Sequence, residues 1–542
     1  MKRSKTIHLE EPNTLYKFLS REEQQSVVSL KITGVLGLKD FEVMDEMCSS
    51  WGEYDDDENF LPDYEESPAL RILDMGEASF GEGDYLPEFG FHSLLEVLIL
   101  PNNLQSAGEG FDSGLSEAKH LHTLILPQTL KFIGGFNSCP RLKNLILPDG
   151  LEEILPHAFC GCDDITSIRI PASVCRMDGS SFAGCQIKAY EVDENNPYLT
   201  AVDGVVYNKN LNVLIAFPSA YPHKHYKLLD SVRRIGYNAF MYALVESVEM
   251  PEGIATIDKW AFQSSRVKRI DMPDRVTEIG QGVFRFCSQL EQIHLSNQLT
   301  EIPRLSFSSC PKLTVLDVPS SVRKLYYSAV AWSHGLEHLI LHDGLEEIVD
   351  EGPLGGCEGD LREIKFPKTL KKVQGGLFNY SPHIKSYQID PDNPYFCVID
   401  GALYSKDGKI LYAVPDPERT HFTVAEGTEE IAEKAFFYLS ALRDVELPNS
   451  LLTIGDRAFQ GCGALKTIRL PKHVMSVGAY FLLSCDKVEK VVIDSTVPPK
   501  MTGHVKDDMW EFKKVKLIVP QGTAKQYQNA LGWKCFIVKD NK

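Results

Sequence analysis

The sequence predicts a repeat solenoid that is rich in short, stacked parallel β-strands, with two β-hairpin insertions and a cap at each end. Three observations support this fold class. Similar words recur roughly every 23 residues, as in "LEEILPHAFCGCDDITSIRIPASV", which runs from Leu151 to Val174. Two longer words, which begin at Tyr190 and Tyr387, match each other at a constant offset. The length of 542 residues exceeds that of an ordinary single-core domain and favours an elongated array or several domains.

The repeat has one template, LxxIxLPxxVxxI, which is often followed by AFxxC. The words "LHTLILPQTLKFIG", "VKRIDMPDRVTEIG" and "LKTIRLPKHVMSVG" are three of its copies. The alternation in LxxIxL has a period of two, which predicts a short strand with one buried face. Proline then ends the strand, because it cannot donate a hydrogen bond to a ladder. The second apolar pair and the Ala–Phe pair add further apolar sides, which a coil can bury only by stacking on its neighbours.

The cysteines follow the repeat. There are thirteen, an odd number that does not resemble a disulfide framework. In-register stacking would place their Cβ atoms ~4.8 Å apart, somewhat beyond the ~3.5–4.5 Å that is usual for a disulfide. We therefore expect small, buried, reduced thiols at one position of the coil, three residues after its phenylalanine or leucine: Cys139, Cys162, Cys185, Cys287, Cys310, Cys357 and Cys462.

The two longer words predict β-hairpin insertions near residues 190–218 and 387–415. Each word has alternating apolar residues around an Asp–Gly pair, which is a signal for a turn between strands. A second polar turn follows at residues 208–210 in one word and 406–408 in the other. After each hairpin the chain resumes the repeat, as in "VRRIGYNAF" and "TEEIAEKAF".

The ends of the chain depart from the template and predict caps. Residues 1–66 are expected to form an N-terminal cap and an acidic loop, with Ser20 and Glu23 at capping-box spacing on a short helix. Residues 67–494 then form the array. Residues 495–542 are expected to form a C-terminal cap that consists of a strand and a short helix.

The net charge and the apolar content of the sequence limit the kinds of ligand and the location that we expect for the protein. The formal net charge is −19, which repels nucleic-acid phosphates and anionic lipid and leaves protein or glycan as the expected ligand. The chain lacks a run of 18 apolar residues, and its start, "MKRSKTIHLEEPNTLYKF", has no apolar segment behind the basic residues. We expect neither a membrane span nor a signal peptide in the sequence as given. The protein is then cytoplasmic if this N-terminus is native, and extracellular or surface-bound if a leader was removed.

Several polar clusters could in principle hold a metal. His157, Cys160 and Cys162 form HxxCxC, but a zinc site needs four ligands and the repeat already accounts for Cys162. The acidic run at residues 55–58 lacks the alternating ligands and glycine of an EF-hand, so a solvated loop is favoured. Turn chemistry explains the acidic and amide residues of the hairpins equally well: Asp193, Glu194, Asn195, Asn196, Asp390, Asp392 and Asn393. Motifs of hydrolases, metalloproteases and nucleotide-binding loops are missing in a supporting context, so we expect no metal, cofactor or catalytic residue.

The surface best suited to binding consists of two outward columns. These columns contain the residues immediately before the second and third apolar positions of each LxxIxL strand, whose side chains face away from the core. The core template leaves these positions free to differ from coil to coil, and solenoids use extended sheet surfaces for recognition. Apolar residues in such a column suggest contact with a ligand, although isoleucine also serves simply as a strand former. The candidate ligand-binding residues are Ile125, Ile146, Arg169, Glu249, Asp271, His294, Asp317, Ile340 and Lys365.

The word "EEILPHAFCGCDDITSIRIPASV" and its sister words resemble the leucine-rich repeats of the BspA type, a bacterial class named after a surface adhesin. The hairpin word "NPYLTAVDGVVY", the opening "SLKITGVLGLKDFEVMDEM" and the closing "LIVPQGTAKQYQNALGWKCF" are similar to those of exported members. The resemblance implies a leucine-rich repeat solenoid that acts as a non-enzymatic, surface-attached or secreted binding protein for a protein or glycan ligand. A cytoplasmic or structural scaffold for protein–protein interaction is the main alternative, and a hydrolase with an unrecognised site is a distant third. Neither the ligand nor the oligomeric state follows from the sequence.

Overall fold

The structure is a computed structural model that describes residues 3–48, 52–54, 60–62, 69–87, 93–108, 115–349, 361–374, 377, 381, 383–503 and 512–541. The chain divides into two compact units, Met1–Val267 and Lys268–Lys542, which are described separately below. The predicted acidic loop, including residues 55–58, and Cys357 lie outside the described residues.

The first unit opens with a cap whose elements are β1 (Arg3–Leu9), α1 (Arg21–Ser26), β2 (Val27–Leu36), α2 (Leu38–Cys48), β3 (Gly52–Tyr54) and β4 (Phe60–Pro62). The predicted helix is confirmed as α1, and Ser20 and Glu23 form its capping box. A 3₁₀ turn lies at Leu15–Lys17. Strand β1 pairs in parallel with β2, so the cap already contributes to a ladder. The sequence pattern does not predict β1 or α2.

Each repeat of the first unit contributes short strands that pair in parallel with the equivalent strands of neighbouring coils. One sheet runs in the order β1-β2-β5-β7-β9 and another in the order β6-β8-β10-β11. The sequence predicts one strand per coil, but the second sheet adds another. The last apolar residue of VxxI and the residue before it form a strand of two residues. The remaining strands are β5 (Ile72–Phe80), β6 (Tyr85–Leu86), β7 (Val97–Ile99), β8 (Ser106–Ala107), β9 (Thr123–Ile125), β10 (Phe132–Ile133), β11 (Glu153–Ile154), β12 (Ile168–Ile170), β13 (Tyr190–Val192), β14 (Leu199–Val202), β15 (Val205–Asn208), β16 (Val213–Ala216), β17 (His225–Lys227), β18 (Arg234–Ile235), β19 (Ser247–Glu249) and β20 (Thr256–Ile257).

The second unit repeats this two-strand coil. Its elements are β21 (Arg269–Asp271), β22 (Glu278–Ile279), β23 (Gln292–His294), β24 (Glu301–Ile302), β25 (Val315–Val318), β26 (Lys324–Tyr326), β27 (His338–Leu341), β28 (Glu347–Val349), β29 (Glu363–Phe366), β30 (Lys372–Val373), β31 (Ser386–Ile389), β32 (Phe396–Ile399), β33 (Ala402–Ser405), β34 (Ile410–Ala413), β35 (His421–Thr423), β36 (Glu430–Ile431), β37 (Asp444–Glu446), β38 (Thr453–Ile454), β39 (Thr467–Leu470), β40 (Ser476–Gly478), β41 (Lys490–Ile493), β42 (Lys500–Thr502), β43 (Lys516–Val519), α3 (Ala524–Asn529) and β44 (Ile537–Asp540). Two 3₁₀ turns lie at Tyr327–Val330 and Trp533–Cys535.

The C-terminal cap contains the predicted final strand, β43, and the predicted short helix, α3. Strand β43 pairs in parallel with β41 on one side and with β44 on the other, so the ladder continues to Asp540. Trp533 and Tyr527 are fully buried beneath this end, and their rings contact each other at a centroid distance of 6.1 Å. These rings cover the apolar surface that the last coil would otherwise expose.

The core of each unit contains phenylalanine rings from neighbouring coils that stack on one another. In the first unit Phe240 lies between Phe217 and Phe262, with ring centroids 4.6 Å and 4.7 Å away. In the second unit Phe436 and Phe459 stack at 4.6 Å. All five rings are buried. The Ala–Phe pair of the template therefore supplies the main contact between coils, as the repeat predicts.

The cysteine ladder consists of Cys139, Cys162, Cys185, Cys287, Cys310 and Cys462, all of which are buried and free of disulfides. Their thiols do more than fill space. Cys310 donates to the carbonyl oxygen of Phe284 at 3.1 Å, and Cys462 donates to that of Phe436 at 3.2 Å. Ser333 occupies the equivalent slot of another coil and donates to the Phe307 carbonyl at 2.6 Å. The slot therefore requires a small side chain and uses a donor where one is present.

The ladder thiols are expected to resist chemical modification in the native protein. Burial raises the pKa of Cys162, Cys310 and Cys462 well above the usual value, so the reactive thiolate is scarce even at pH 8. Alkylation resolved by peptide mass spectrometry should label exposed Cys175 within minutes and the ladder far more slowly. After denaturation all thirteen cysteines should react. Rapid native labelling of the ladder would contradict this expectation.

Both hairpin insertions are confirmed, and they share one register. In the first, β14 pairs antiparallel with β15, and β15 with β16, before β16 rejoins the parallel ladder at β18. In the second, β32, β33, β34 and β36 repeat this arrangement. Asp203 and Gly204 have φ values of 51° and 76°, as a type I′ turn requires, and the equivalent Asp–Gly pair of the second hairpin has the same conformation.

A buried asparagine anchors each hairpin to the preceding coil. The Asn196 side-chain amide donates to the carbonyl oxygens of Pro171 and Val174 at 2.9 Å. Its oxygen accepts hydrogen bonds from the backbone N–H groups of Tyr198 and Leu199 at 2.8 Å. Asn393 forms the equivalent bonds in the second hairpin. These amides therefore serve the fold and not a metal ion.

Candidate binding surface

The outward columns form as predicted, with equivalent residues of successive coils directly opposite each other. In the first unit Ile99 of β7 lies opposite Ile125 of β9. In the second unit Asp271 lies opposite His294, and Asp317 lies opposite Ile340. All nine candidate binding residues are exposed: Ile125, Ile146, Arg169, Glu249, Asp271, His294, Asp317, Ile340 and Lys365.

The exposed isoleucines are the unusual members of the columns. Ile125 is 48% exposed, Ile146 is 79% exposed and Ile340 is 40% exposed. Ile146 does not lie on a strand, although the template predicts one there. Asn144, two residues earlier, has a φ of 55°, a left-handed conformation that asparagine tolerates and that a strand excludes. The backbone therefore leaves the ladder at this coil and Ile146 projects further from it.

A groove of about 220 Å³ lies on the column face of the second unit. It brings together two predicted residues, His294 and Asp317, and adds His342, which the sequence did not single out for binding. The imidazole Nε2 of His342 lies 2.7 Å from Oδ1 of Asp317. Leu295, Asn297, Pro319 and Ser320 complete most of the lining. The groove offers hydrogen-bond donors and acceptors on a partly apolar floor.

His342 occupies the position at which most coils have proline. A side chain at this position can contact Asp317 in the preceding coil, which a proline ring cannot do. The same position holds Asp494, which forms a two-point ion pair with Arg469 of the preceding coil at 2.8 and 2.9 Å. It also holds Asp193, which pairs with Arg169. In these three coils the polar residue contacts the outward column of the coil before. Ser296 also replaces the proline, but it is buried and donates to the Asp274 carbonyl oxygen instead.

Charge pairs tune the ionisation of column residues. The hydrogen bond and charge of Asp494 raise the pKa of Arg469. The backbone N–H of Asn195, together with Arg169, lowers the pKa of Asp193. Lys227 and Glu249, opposite each other in β17 and β19, form an ion pair at 2.6 Å that raises the pKa of Lys227. Each of these shifts favours the charged form, so Arg469, Asp193 and Lys227 are charged at neutral pH.

The HxxCxC cluster is not arranged as a metal site. The Cys162 thiol donates to the carbonyl oxygen of Phe136 at 3.1 Å, and burial raises the pKa of Cys160 to about 11. Burial also lowers the pKa of His157. Within the part of the chain that the structure describes, no three His, Cys, Asp or Glu side chains are placed to hold a metal ion.

A cavity of about 340 Å³ lies near the end of the second unit, away from the columns. Leu482, Val488, Phe512 and Val515 give it an apolar lining. Cys485 also lines the cavity. Its thiol donates to the Phe459 carbonyl oxygen at 3.0 Å, and burial raises the pKa of this thiol to about 12. This thiol is therefore protonated at neutral pH and poorly suited to act as a nucleophile.

The sequence repeats that form these coils, with their stacked phenylalanines and cysteine ladder, match one family model. The model, described as BspA type leucine rich repeat region, matches six copies over residues 85–201, 215–337, 329–397 and 416–506. The chain belongs to the BspA-type leucine-rich repeat family. No curated protein matches the sequence of this BspA-type chain.

Solved structures of bacterial leucine-rich repeat proteins are similar to this BspA-type chain. A leucine-rich repeat protein from Eubacterium ventriosum is 21% identical, with 56% of this chain and 82% of that chain covered and a TM-score of 0.49. A leucine rich cell surface protein from Faecalibacterium prausnitzii is 17% identical (64% and 94% covered, TM-score 0.42). A leucine-rich repeat protein from Bacteroides ovatus is 20% identical (72% and 88% covered, TM-score 0.40).

The helices of this BspA-type chain are short. Among the described residues, none has the length and apolar content that a membrane-spanning helix needs.

Proposed function

We propose that this BspA-type protein is a non-enzymatic binding protein that recognises a protein or glycan ligand through its outward strand columns. The observation that carries the proposal is the exposure of two isoleucines, Ile125 on strand β9 and Ile146 in the next coil, outside a packed core. Exposed apolar side chains on a rigid sheet are suited to serve as anchors that a ligand buries. The family resemblance supports a place at the bacterial surface or outside the cell.

The chemistry of the columns differs between the two units, which supports recognition of a large ligand. The isoleucines of the first unit favour an apolar anchor on a protein partner. The groove around His294, Asp317 and His342 in the second unit offers directional hydrogen bonds instead. Apolar anchors supply most of the binding energy in protein interfaces, and polar groups supply specificity.

A cytoplasmic scaffold is the second candidate function. The observation that favours it is that all twelve described cysteines are free, which suits a reducing compartment. The two candidates differ in where the protein acts and not in how its surface binds. Fractionation of the native organism, with detection of the protein by antibody in intact cells, would separate them.

The proposal predicts that column substitutions weaken binding without affecting folding. Ligands would first be identified on an array of host proteins and glycans. Ile125→Thr with Ile146→Thr, and charge reversal at Glu249, Asp271 or Asp317, should then weaken binding tenfold or more. Threonine keeps the β-branched shape that suits a strand, and exposed substitutions usually shift stability by only about ±0.5 kcal/mol.

Met475→Thr is the matched control, because Met475 is 63% exposed but lies outside the columns. Its affinity should equal that of the wild type. Column variants that bind their ligand normally, with unchanged thermal unfolding, would refute recognition by the columns.

A further inference from the structure

The two hairpins can be compared position by position, because they share a register but differ in sequence. Residues that are identical in both and buried are explained by packing, as for the anchoring asparagines and for Tyr207 and Tyr404. Exposed residues that are identical in both need another reason. Asp203 forms the turn, and the Lys209 ammonium donates to the Asn196 carbonyl at 2.6 Å. In the second hairpin the Lys406 ammonium donates to the Pro391 carbonyl oxygen at 3.4 Å.

Among the other identical exposed residues, Pro197 and Pro394 restrict the backbone before the first hairpin strand, whereas the next pair has no such role. Tyr198 is 53% exposed and Tyr395 is 51% exposed, and both directly precede the first strand of their hairpin. Among the residues that the structure describes, neither hydroxyl donates or accepts a hydrogen bond and neither ring stacks on another aromatic ring. Burial of an aromatic ring normally stabilises a protein, so the packing does not explain why tyrosine occupies both positions.

Hydrogen bonds hold the backbone at both tyrosines. The N–H of Tyr198 donates to the Asn196 side chain, and its carbonyl oxygen accepts from the Lys209 N–H at 2.7 Å. Tyr395 forms the same two bonds with Asn393 and Lys406. Each hairpin therefore projects its tyrosine from an ordered backbone, so a ligand need not order the main chain.

We propose that Tyr198 and Tyr395 are two stacking platforms for the sugar rings of a neutral polysaccharide. The electron-rich face of a tyrosine attracts the C–H groups on the apolar face of a pyranose. Polar side chains near the tyrosines supply partners for sugar hydroxyls. Asn195 lies three residues before Tyr198 in the sequence, and Lys371 lies close enough to Tyr395 to interact with it electrostatically.

Net charge and the number of exposed rings favour this ligand class over others. The formal net charge of −19 disfavours ligands that carry phosphate, sulfate or uronate groups. A proline-rich peptide needs a groove lined by several aromatic rings, whereas each hairpin presents one. Two equivalent sites in one chain suit a ligand whose own chemical unit repeats, because such a polymer offers the same sugar to each site.

Affinity electrophoresis of the full chain tests the proposal. Native gels would contain mannan, dextran, arabinoxylan or mixed-linkage β-glucan, with alginate as the acidic comparator and an empty gel as the reference. At least one neutral polysaccharide should retard the protein, and alginate should not. Tyr198→Ala and Tyr395→Ala should each weaken retardation severalfold, and the double variant by tenfold or more. Replacement of both tyrosines by Trp should preserve it.

Tyr237→Ala and Phe286→Ala are matched controls, because these rings are 46% and 43% exposed but lie outside the hairpins. Both should migrate like the wild type. Replacement of both hairpin tyrosines by Gln repeats the test with a larger side chain in case the alanine variants unfold. Retardation by none of the neutral polysaccharides, retardation by alginate alone, or wild-type retardation of the double variant would overturn the proposal.

The two sites on the hairpins use none of the column residues, so each proposal can fail alone. Ile125→Thr with Ile146→Thr should keep polysaccharide binding. A column variant that loses its array ligand but still binds the polysaccharide supports both sites. Column variants that keep the array ligand while the double tyrosine variant loses it would show instead that the hairpins carry recognition and that the columns do not.

Discussion

Replacement of Phe240 by Ala is expected to lower the free energy of unfolding by about 3–5 kcal/mol. The ring is fully buried and lies between Phe217 and Phe262, so its loss opens a cavity that two coils share. The neighbouring rings belong to backbones that ladder hydrogen bonds hold in place, which limits collapse into the cavity. Urea titration followed by far-ultraviolet circular dichroism would measure the change.

Phe18→Ala is the control for this measurement. Phe18 belongs to the same unit but is 46% exposed, so the same substitution should cost less than about 1 kcal/mol. Equal losses for the two variants would mean that the stacked phenylalanines do not join the coils.

Asn196→Asp is expected to destabilise the protein by about 3–5 kcal/mol while leaving the size of the side chain unchanged. The amide donates to two carbonyl oxygens, and a carboxylate oxygen in its place would face both of them without a hydrogen bond. The site is fully buried, which adds the cost of removing a charge from water. Thermal and urea unfolding of the variant against the wild type would measure the loss.

The loss of stability in the Asn196→Asp variant should depend on pH. Burial raises the pKa of the introduced carboxyl in the folded state above its unfolded value of about 4. The folded state then binds more protons, so the variant's deficit should be smallest below that pH and grow as the pH rises. Asn210→Asp, in an exposed hairpin turn, should change stability by no more than about 0.5 kcal/mol at any of these pH values. A deficit for Asn196→Asp that is independent of pH would show that the carboxyl is not buried.

The repetition of the sequence explains why much of the fold was predictable. A single template, read many times, predicted the parallel ladder, the Ala–Phe core and the cysteine ladder. The Asp–Gly pairs predicted the hairpin turns because type I′ geometry needs two residues with positive φ. The exposure of Ile125 and Asp317 followed from the period of two in their strands.

The remainder depends on interactions that the template does not encode. The second strand of each coil is only two or three residues long, so its sequence is too short to show a periodicity. Asn144 interrupts one strand through its backbone conformation, which its residue type permits but does not require. The contact between His342 and Asp317 joins two coils, and its distance depends on the rise between them.

The shared register of the hairpins bears on how such a chain can change length during evolution. Tyr190 and Tyr387 begin segments whose strands, turns and anchoring asparagines occupy equivalent positions. Recombination between the two coding segments would delete or duplicate the intervening block and still encode one complete hairpin, with its turn and its asparagine in register. Genes for related proteins that differ by whole blocks of this kind, with the joint inside the hairpin, are therefore the expected products of unequal crossing-over.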